Sequence, residues 1–386
     1  MTTIYADNAA TTKMSDVTVK AMLPYLQEIY ANASSVHLLG QRSAAALFSA
    51  RQQAAQVLNC APKEVFFTSG GSEADNQALI SAAALGKKQG KCHIVSTAME
   101  HHAILNCMQE LEAQGFQVTY LKPDGMGRVS TEDLKAALRR DTILVSVMMV
   151  NNEVGSVMPI AQMAKLTHRL CPDAIFHTDA VQGFLKVPFQ ARTLGADLIS
   201  VSSHKIHGPK GAGALYISPR LKSFPPLLLG GGQEGGYRSG TEGTPAIFGF
   251  AAAAAAGNAT FQEDHAREAA LLTALSERLS ALPGVVLTGA HEAPHILSVS
   301  VPGVPTQNSI NILQDRGICV SAGSACAKGH RSHVLTAMNV SPDIIDCTFR
   351  VSLSRLNTQE ELDALVEAIQ QDILPRVKTD RSKFHE

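Results

Sequence analysis

Between about residues 60 and 220, short apolar runs rich in β-branched residues alternate with amphipathic stretches of helical length. That alternation predicts a parallel sheet whose strands are joined by crossover helices. Val65–Thr68 reads as a strand followed by a helix from Ser72, and His93–Ser96 as a strand followed by a helix over about Ala103–Gln114. Val118–Leu121 continues the series, and Ser130-Thr-Glu-Asp supplies an N-cap and an acidic first turn for the next helix. Ile143–Val150, Ala174–His177, Leu198–Val201 and Ala214–Ile217 follow. Near-continuous apolar runs such as Ile143–Val150 suit strands buried on both faces.

After Tyr216 the pattern changes. Pro225, Pro226 and Gly230-Gly-Gly232 mark an irregular segment that runs to about Gly243. An Ala-rich helix over Ala246–Asn258 comes next, then a charged helix to about Leu282, short strands near Val285 and over Ile296–Val301, and a helix completed by Asn311–Arg316. Cys347–Leu353 reads as a strand, and Thr358-Gln-Glu-Glu361 as a capping box opening the last helix. This second part reads as a smaller α+β domain.

Composition narrows the class. A chain of 386 residues carries a prior of two or three domains. Lys plus Arg is 33 against 34 Asp plus Glu, a net charge of -1 without long runs of either sign, which argues against a dedicated nucleic-acid or membrane-surface binder. With no Trp and 5% aromatics, the core must be aliphatic. The seven cysteines are scattered without a C-x-x-C pair, which argues against a disulfide framework or a four-thiolate zinc site. Met1–Thr12 has neither a basic nor an apolar region of secretory type, so a reducing cytoplasm is the expectation. The longest low-polarity stretch, Pro245–Gly257, is 13 residues, short of the roughly 20 that span a membrane.

Four segments could carry chemistry. Ser202-Ser-His-Lys-Ile-His-Gly-Pro-Lys-Gly211 follows the strand Leu198–Val201. Open α/β sheets bind ligands at the carboxyl ends of their strands, which places Lys205 to form a Schiff base with an aldehyde cofactor; an exposed loop lysine is the alternative. Asp179 ends the run Phe176-His-Thr-Asp, where a carboxylate needs a partner such as a protonated pyridine nitrogen, unless it is a helix N-cap. Thr68-Ser-Gly-Gly-Ser-Glu73 runs into a helix, so Gly70, Gly71 and Ser72 suit a phosphate or an ordinary cap. Cys326 lies in Ser321-Ala-Gly-Ser-Ala-Cys-Ala-Lys-Gly-His330, beside Lys328 and His330, a setting that favours thiolate; Cys326, His330 and His333 as metal ligands lack a fourth. His101, Asn151-Asn-Glu-Val-Gly155 and Arg350 also follow or flank strands, the arginine being suited to a carboxylate or to a structural ion pair.

The ordered series Asp7-Asn-Ala-Ala-Thr-Thr12, Asn32-Ala-Ser-Ser-Val-His37, Thr68–Glu73, Glu100-His101, Asn151–Gly155, His177–Gln182, Ser203-His-Lys205, Arg238-Ser-Gly-Thr241 and Ser321–Cys326 resembles the NifS/IscS-type cysteine desulfurases, from Tyr5 to about Ile369. These belong to the class V aminotransferase group of pyridoxal-phosphate enzymes. The resemblance implies an α/β fold, the pyridoxal-phosphate-dependent transferase fold of type I, with a mainly parallel sheet in the large domain and a smaller α+β domain. It divides the chain into a cofactor-binding large domain, residues 13–250, and a small domain from 1–12 and 251–386 carrying the Cys326 loop.

By the same resemblance Lys205 is the Schiff-base lysine and the base at the substrate Cα. Asp179 pairs with the pyridine nitrogen, Gln182 with the ring hydroxyl, and His101 stacks on the ring with Asn152 nearby. Gly71, Ser72, Ser202 and His204 hold the phosphate, joined by Thr241 of a second subunit. Asn32 and Arg350 bind the carboxylate of L-cysteine, and Cys326 takes its sulfur as a persulfide, releasing L-alanine. A cytoplasmic homodimer is implied, delivering sulfur to an iron–sulfur scaffold or a tRNA-modifying enzyme. Ser72 stands where the family often has Thr, Ala33 where Pro is usual, and the loop after Cys326 is about two residues shorter than usual. A selenocysteine lyase, a small-amino-acid aminotransferase of the same fold, and a non-catalytic sulfur carrier or scaffold are the rival readings.

Overall fold

The computed structural model describes residues 3–323 and 331–377. A two-residue strand β1, Ile4–Tyr5, comes first. Helices α1 (Asp16–Gln27) and α2 (Leu38–Leu58) then lead into the large sheet. Its strands are β2 (Val65–Thr68), β3 (His93–Thr97), β4 (Gln117–Leu121), β5 (Thr142–Ser146), β6 (Ile175–Asp179), β7 (Leu198–Ser202) and β8 (Gly213–Ile217). They lie in the order β2-β8-β7-β6-β5-β3-β4, and β8 alone runs against its neighbours, so the sheet is mainly parallel as expected.

Crossovers are made by α3 (Gly71–Lys88), α4 (His102–Ala113), α5 (Thr131–Ala137), α6 (Ile160–Leu170) and the short α7 (Ala191–Leu194). The paired apolar residues of the strands divide between the two faces. Ile94, Leu144, Ile175 and Leu198 pack with α3 and α4, while Val95, Val145, Phe176 and Ile199 pack on the opposite face with α2, α6 and α8 (Thr244–Ala259). Burial on both sides is why these strands carry little polar alternation. Ser130 caps α5 as the sequence predicts, its hydroxyl accepting from the Asp133 N–H.

One run differs from expectation. The apolar pattern predicts one strand over Ile143–Val150, but β5 ends at Ser146. Val147–Val150 stay buried and keep single backbone bonds to the end of β6, Val147 N–H to the His177 carbonyl and Met149 N–H to that of Asp179. Their apolar character serves core packing, and hydropathy does not distinguish that from sheet pairing.

The second apolar core gathers α9 (Phe261–Ser280), β9 (Val286–Leu287), β10 (Ile296–Ser300), α10 (Thr306–Asp315), β11 (Ile318–Cys319), β12 (Thr348–Ser352) and α13 (Gln359–Ala368). Between β11 and β12, α11 (His333–Ala337) and α12 (Pro342–Ile345) pack instead on the first core through Val334, Leu335 and Ile345. Here β9, β10 and β12 form an antiparallel sheet, and β1 pairs in parallel with β11. The Thr358–Glu361 capping box opens α13 as predicted.

Candidate active site

A pocket of about 400 Å³ lies where β6 and β7 end and α3 begins. It is lined by Gly71, Ser72, His101, Asn152, Asp179, Gln182, Ser202, His204, Lys205 and Arg350, with Ala9, Ala10, Asp75, Ser321 and Gly323 among its other walls. Carboxyl ends of adjacent parallel strands form the open edge that a crossover fold leaves for ligands.

The phosphate-type corner is built by close approach. A Cβ on Gly71 would sit 2.6 Å from Val181 Cγ2, and one on Gly213 would sit 2.7 Å from the Val201 carbonyl oxygen and 2.8 Å from Gly70. Two glycines thus bring the first turn of α3 against β6 and β7. That helix begins without a side-chain cap, and Ser202 Oγ is buried with no hydrogen-bond partner among the described residues. Uncapped N–H groups and an idle hydroxyl are donors waiting for an anion. His204 stands beside them, its Nδ1 3.2 Å from Thr11 Oγ1, and burial with the charges of Lys205 and Lys210 pushes it down to about 4, so it is neutral.

Lys205 faces the carbonyl oxygens of Ala9 and Ala10, donating to them at 2.6 and 2.7 Å. Burial, then Arg350, pulls its amine down to about 8 against the opposing charges of Asp179 and Asp7. Asp179 accepts the Val181 N–H at 2.8 Å; burial raises it, opposed by that bond and by His101 and Lys205. Gln182 donates to the Ala9 carbonyl at 2.9 Å, which turns its amide oxygen to His295 Nε2 at 3.3 Å.

His101 caps α4, its Nδ1 accepting the Ala103 N–H at 3.1 Å, which leaves the proton of the neutral ring on Nε2. Asn151 organises the turn that delivers Asn152, its Oδ1 accepting the N–H groups of Glu153 and Val154 and its amide donating to the Met99 carbonyl. Arg350 on β12 donates to the Asn152 carbonyl at 2.7 Å and to Asp7 at 2.9 Å.

Two expected site residues do not line this pocket. Asn32 is exposed on the loop before α2, its Oδ1 accepting the Ser34 N–H at 2.8 Å, and Thr241 is exposed on the irregular segment before α8. Cys326 lies outside the described residues. Sequence reasoning assigned no role to two buried acids. Asp75 sits on the buried face of α3, 3.6 Å from His177, and burial together with Asp179 raises it well above the carboxylate range. Glu100 accepts from the Met148 N–H and the Thr97 hydroxyl, and burial pushes it up to about 8. An acid amid the Ala74, Ala78, Leu79 and Ala82 face of α3 was the available signal for Asp75.

Comparison with known proteins agrees with this arrangement. The model of the aminotransferase class-V family matches residues 4–365. The chain is 40% identical to the cysteine desulfurase IscS of Methanosarcina thermophila over 370 residues, 95% of this chain and 91% of that one. It is 38% identical to a cysteine desulfurase of Trichormus azollae over 383 residues, 98% and 94% of the two chains. A solved structure described as a NifS-like protein superposes with a TM-score of 0.91 at 36% identity, covering 96% of this chain and 99% of its own. The chain therefore belongs to the class V aminotransferase family, and within it to the cysteine desulfurases, which use pyridoxal 5'-phosphate.

Proposed function

We propose that this enzyme takes sulfur from L-cysteine in the pocket described above, leaving L-alanine and carrying the sulfur as a persulfide on Cys326. The observation that carries the proposal is Lys205, an amine pulled down to about 8 at the carboxyl end of β7, in the same pocket as Asp179. Pyridoxal 5'-phosphate fits the residues present. The idle Ser202 hydroxyl and the uncapped start of α3, with Gly71, Ser72 and His204, suit its phosphate, joined by Thr241 of a second copy. Asp179 suits its protonated ring nitrogen, because a cation there offsets the cost of burying the carboxylate. Gln182 suits the ring hydroxyl, and His101 and Asn152 the ring itself.

When bound, the cofactor supplies an electron sink for the carbanion left once the substrate's Cα proton is removed. Lys205 removes that proton, since an amine titrating near 8 has a useful neutral fraction at neutral pH. Arg350 grips the substrate carboxylate. The Cys326 thiolate attacks the substrate sulfur. An S–S bond forms as the substrate C–S bond breaks, the bonding pair goes to the β carbon, and a proton returned through Lys205 or His101 completes the methyl group. No external oxidant is required, because the electrons that leave sulfur arrive at carbon.

Contrast supports the choice of thiol. The six described cysteines are free, and burial pushes Cys60 and Cys107 up to about 12, which leaves them inert at neutral pH. A homodimer is part of the proposal, supported by the exposed apolar side chains of Val17, Leu23, Leu26 and Tyr30 on and after α1 and Val36 and Leu38 before and in α2. The division at residues 13–250 against 1–12 and 251–386 is supported by Ala6 joining the second core. Among the described residues no helix is long and apolar enough to cross a membrane, and a cytoplasmic setting is proposed with it. The sulfur acceptor is proposed to be an iron–sulfur scaffold or a tRNA-modifying enzyme.

The test is incubation of the holoenzyme with L-cysteine, assaying alanine and locating persulfide by peptide mass spectrometry. Persulfide on Cys326, and its loss with alanine formation in Cys326→Ala, is the expected result. Full alanine formation by Cys326→Ala would overturn the assignment of the thiol.

A further inference from the structure

The segment Asp7–Thr12 is clamped at both ends, at one by groups outside the pocket and at the other by the backbone around His204. On one side it lies along β12. Asn8 N–H and Nδ2 donate to the Ser352 carbonyl, Nδ2 also reaches the Tyr5 carbonyl and Asn357 Oδ1, and the Ala9 N–H donates to Ser352 Oγ at 2.9 Å. On the other side the N–H and hydroxyl of Thr12 donate to the His204 carbonyl, and Thr12 Oγ1 accepts the His207 N–H. Between the clamps the carbonyls of Ala9 and Ala10 are aimed at Lys205 Nζ, and the Ala9 carbonyl also accepts from Gln182.

We propose that this strap is the seat of Lys205. The Ala9 and Ala10 carbonyls hold its ammonium whenever Nζ is not bonded to the cofactor, and Asn8 and Ser352 are positioning residues that fix those carbonyls. Two acceptors engage two of the three ammonium donors and leave one direction free for the pocket. Carbonyls orient the group without neutralising it, and the nearest strap carboxylate, Asp7, is occupied by Arg350. The charged or titratable groups that face Lys205 are Asp179 from β6, Arg350 from β12, Asp7 from the strap, His204 beside it and His295, with His101 acting on Asp179 from the rim. The inference rests on the reading of Lys205 as the cofactor-bearing residue.

The experiment uses cofactor-free protein. Lys205 is labelled with trace acetic anhydride across its titration and quantified by peptide mass spectrometry, in the parent, Asn8→Ala, Ser352→Ala and Ser352→Thr. Hydrogen bonds to a charged donor favour the charged form, so loosening them lowers the midpoint, by about one pH unit for a weakened pair. Below both midpoints that is a roughly tenfold rise in labelling. Asn8→Ala and Ser352→Ala are expected to show it, Ser352→Thr to restore the parent midpoint, and Lys186 labelling to stay unchanged. A parent midpoint retained in both alanine variants overturns the seat. Should Ser352→Ala fail to fold, Asn8→Ala and the milder Asn8→Ser decide it. In parallel, pyridoxal phosphate and borohydride are added and the modified lysine located. Modification away from Lys205 defeats the underlying reading, whereas an unchanged midpoint with normal modification of Lys205 defeats only the seat.

Discussion

Lys186 and Lys205 both follow strands of the large sheet and both are withdrawn from bulk water, yet they are held in opposite ways. Lys186 is enclosed, and its Nζ donates to both carboxylate oxygens of Glu268 on α9, at 3.0 and 3.2 Å. That ion pair fastens the turn after β6 to the long charged helix. Lys205 meets two carbonyls, and the neighbouring carboxylates Asp179 and Asp7 are engaged by Val181 and Arg350. A full counter-charge turns a buried lysine into a strut. Dipoles alone leave it oriented, easily deprotonated and available.

Exchanging the two roles should have unequal costs. Lys205→Ala is expected to reduce alanine formation by about 10²–10⁴-fold, the range for loss of a positioned acid/base group, with the protein still folded by circular dichroism. Glu268→Ala leaves the Lys186 ammonium buried without its partner, a cost of about 3–5 kcal/mol readable in urea unfolding. Lys186→Met combined with Glu268→Leu should recover most of that loss, because an apolar pair of similar volume needs no counter-charge.

The third distinction is in pH. Folding lowers the Lys205 pKa from 10.5 to about 8, so the unfolded chain binds more protons between those values. The resulting penalty is fully present below about pH 8 and is relieved as pH rises toward 10.5. Lys205→Met should therefore flatten that rise in unfolding midpoints, and an unchanged slope would mean that the amine is not perturbed by folding. The smallest effect belongs to His295, which faces both lysines and is held neutral by burial first and then by Lys186, Arg350 and Lys205. Its bond to the Gln182 amide oxygen is of the neutral kind, with a net worth of about 0.5–1.5 kcal/mol. His295→Ala should weaken cofactor affinity by roughly tenfold or less, measured by equilibrium dialysis.

What the sequence made legible follows the range of the forces involved. Val65–Thr68, the Ser130 cap and the Thr358–Glu361 box are local patterns, and the structure has them where the residues predict. Lys205 and Asp179 were found because strand ends are where such a fold presents ligands. The partnership of Asp75 with His177 was not legible, since a strand of the sheet brings them together and neither residue announces the other. Nor were the Ala9 and Ala10 carbonyls, because a backbone acceptor leaves no trace in side-chain identity. The end of β5 at Ser146 was hidden because burial alone can keep a run apolar, whether or not it pairs.

The clamp of Asp7 and Asn8 on β12 has a consequence for how the molecule comes into being. Asp7 and Arg350 are 343 residues apart in the chain, so one wall of the pocket joins an early-synthesised segment to a late one. During translation the strap must wait, its acceptors solvated, until β12 has emerged and found its place. Closing so long a loop costs entropy that no local contact repays on the way, which makes this docking a natural late step. In refolding, the large sheet should gain its secondary structure before Lys205 acquires its altered reactivity, so the nascent chain passes through a stage that is ordered yet chemically silent.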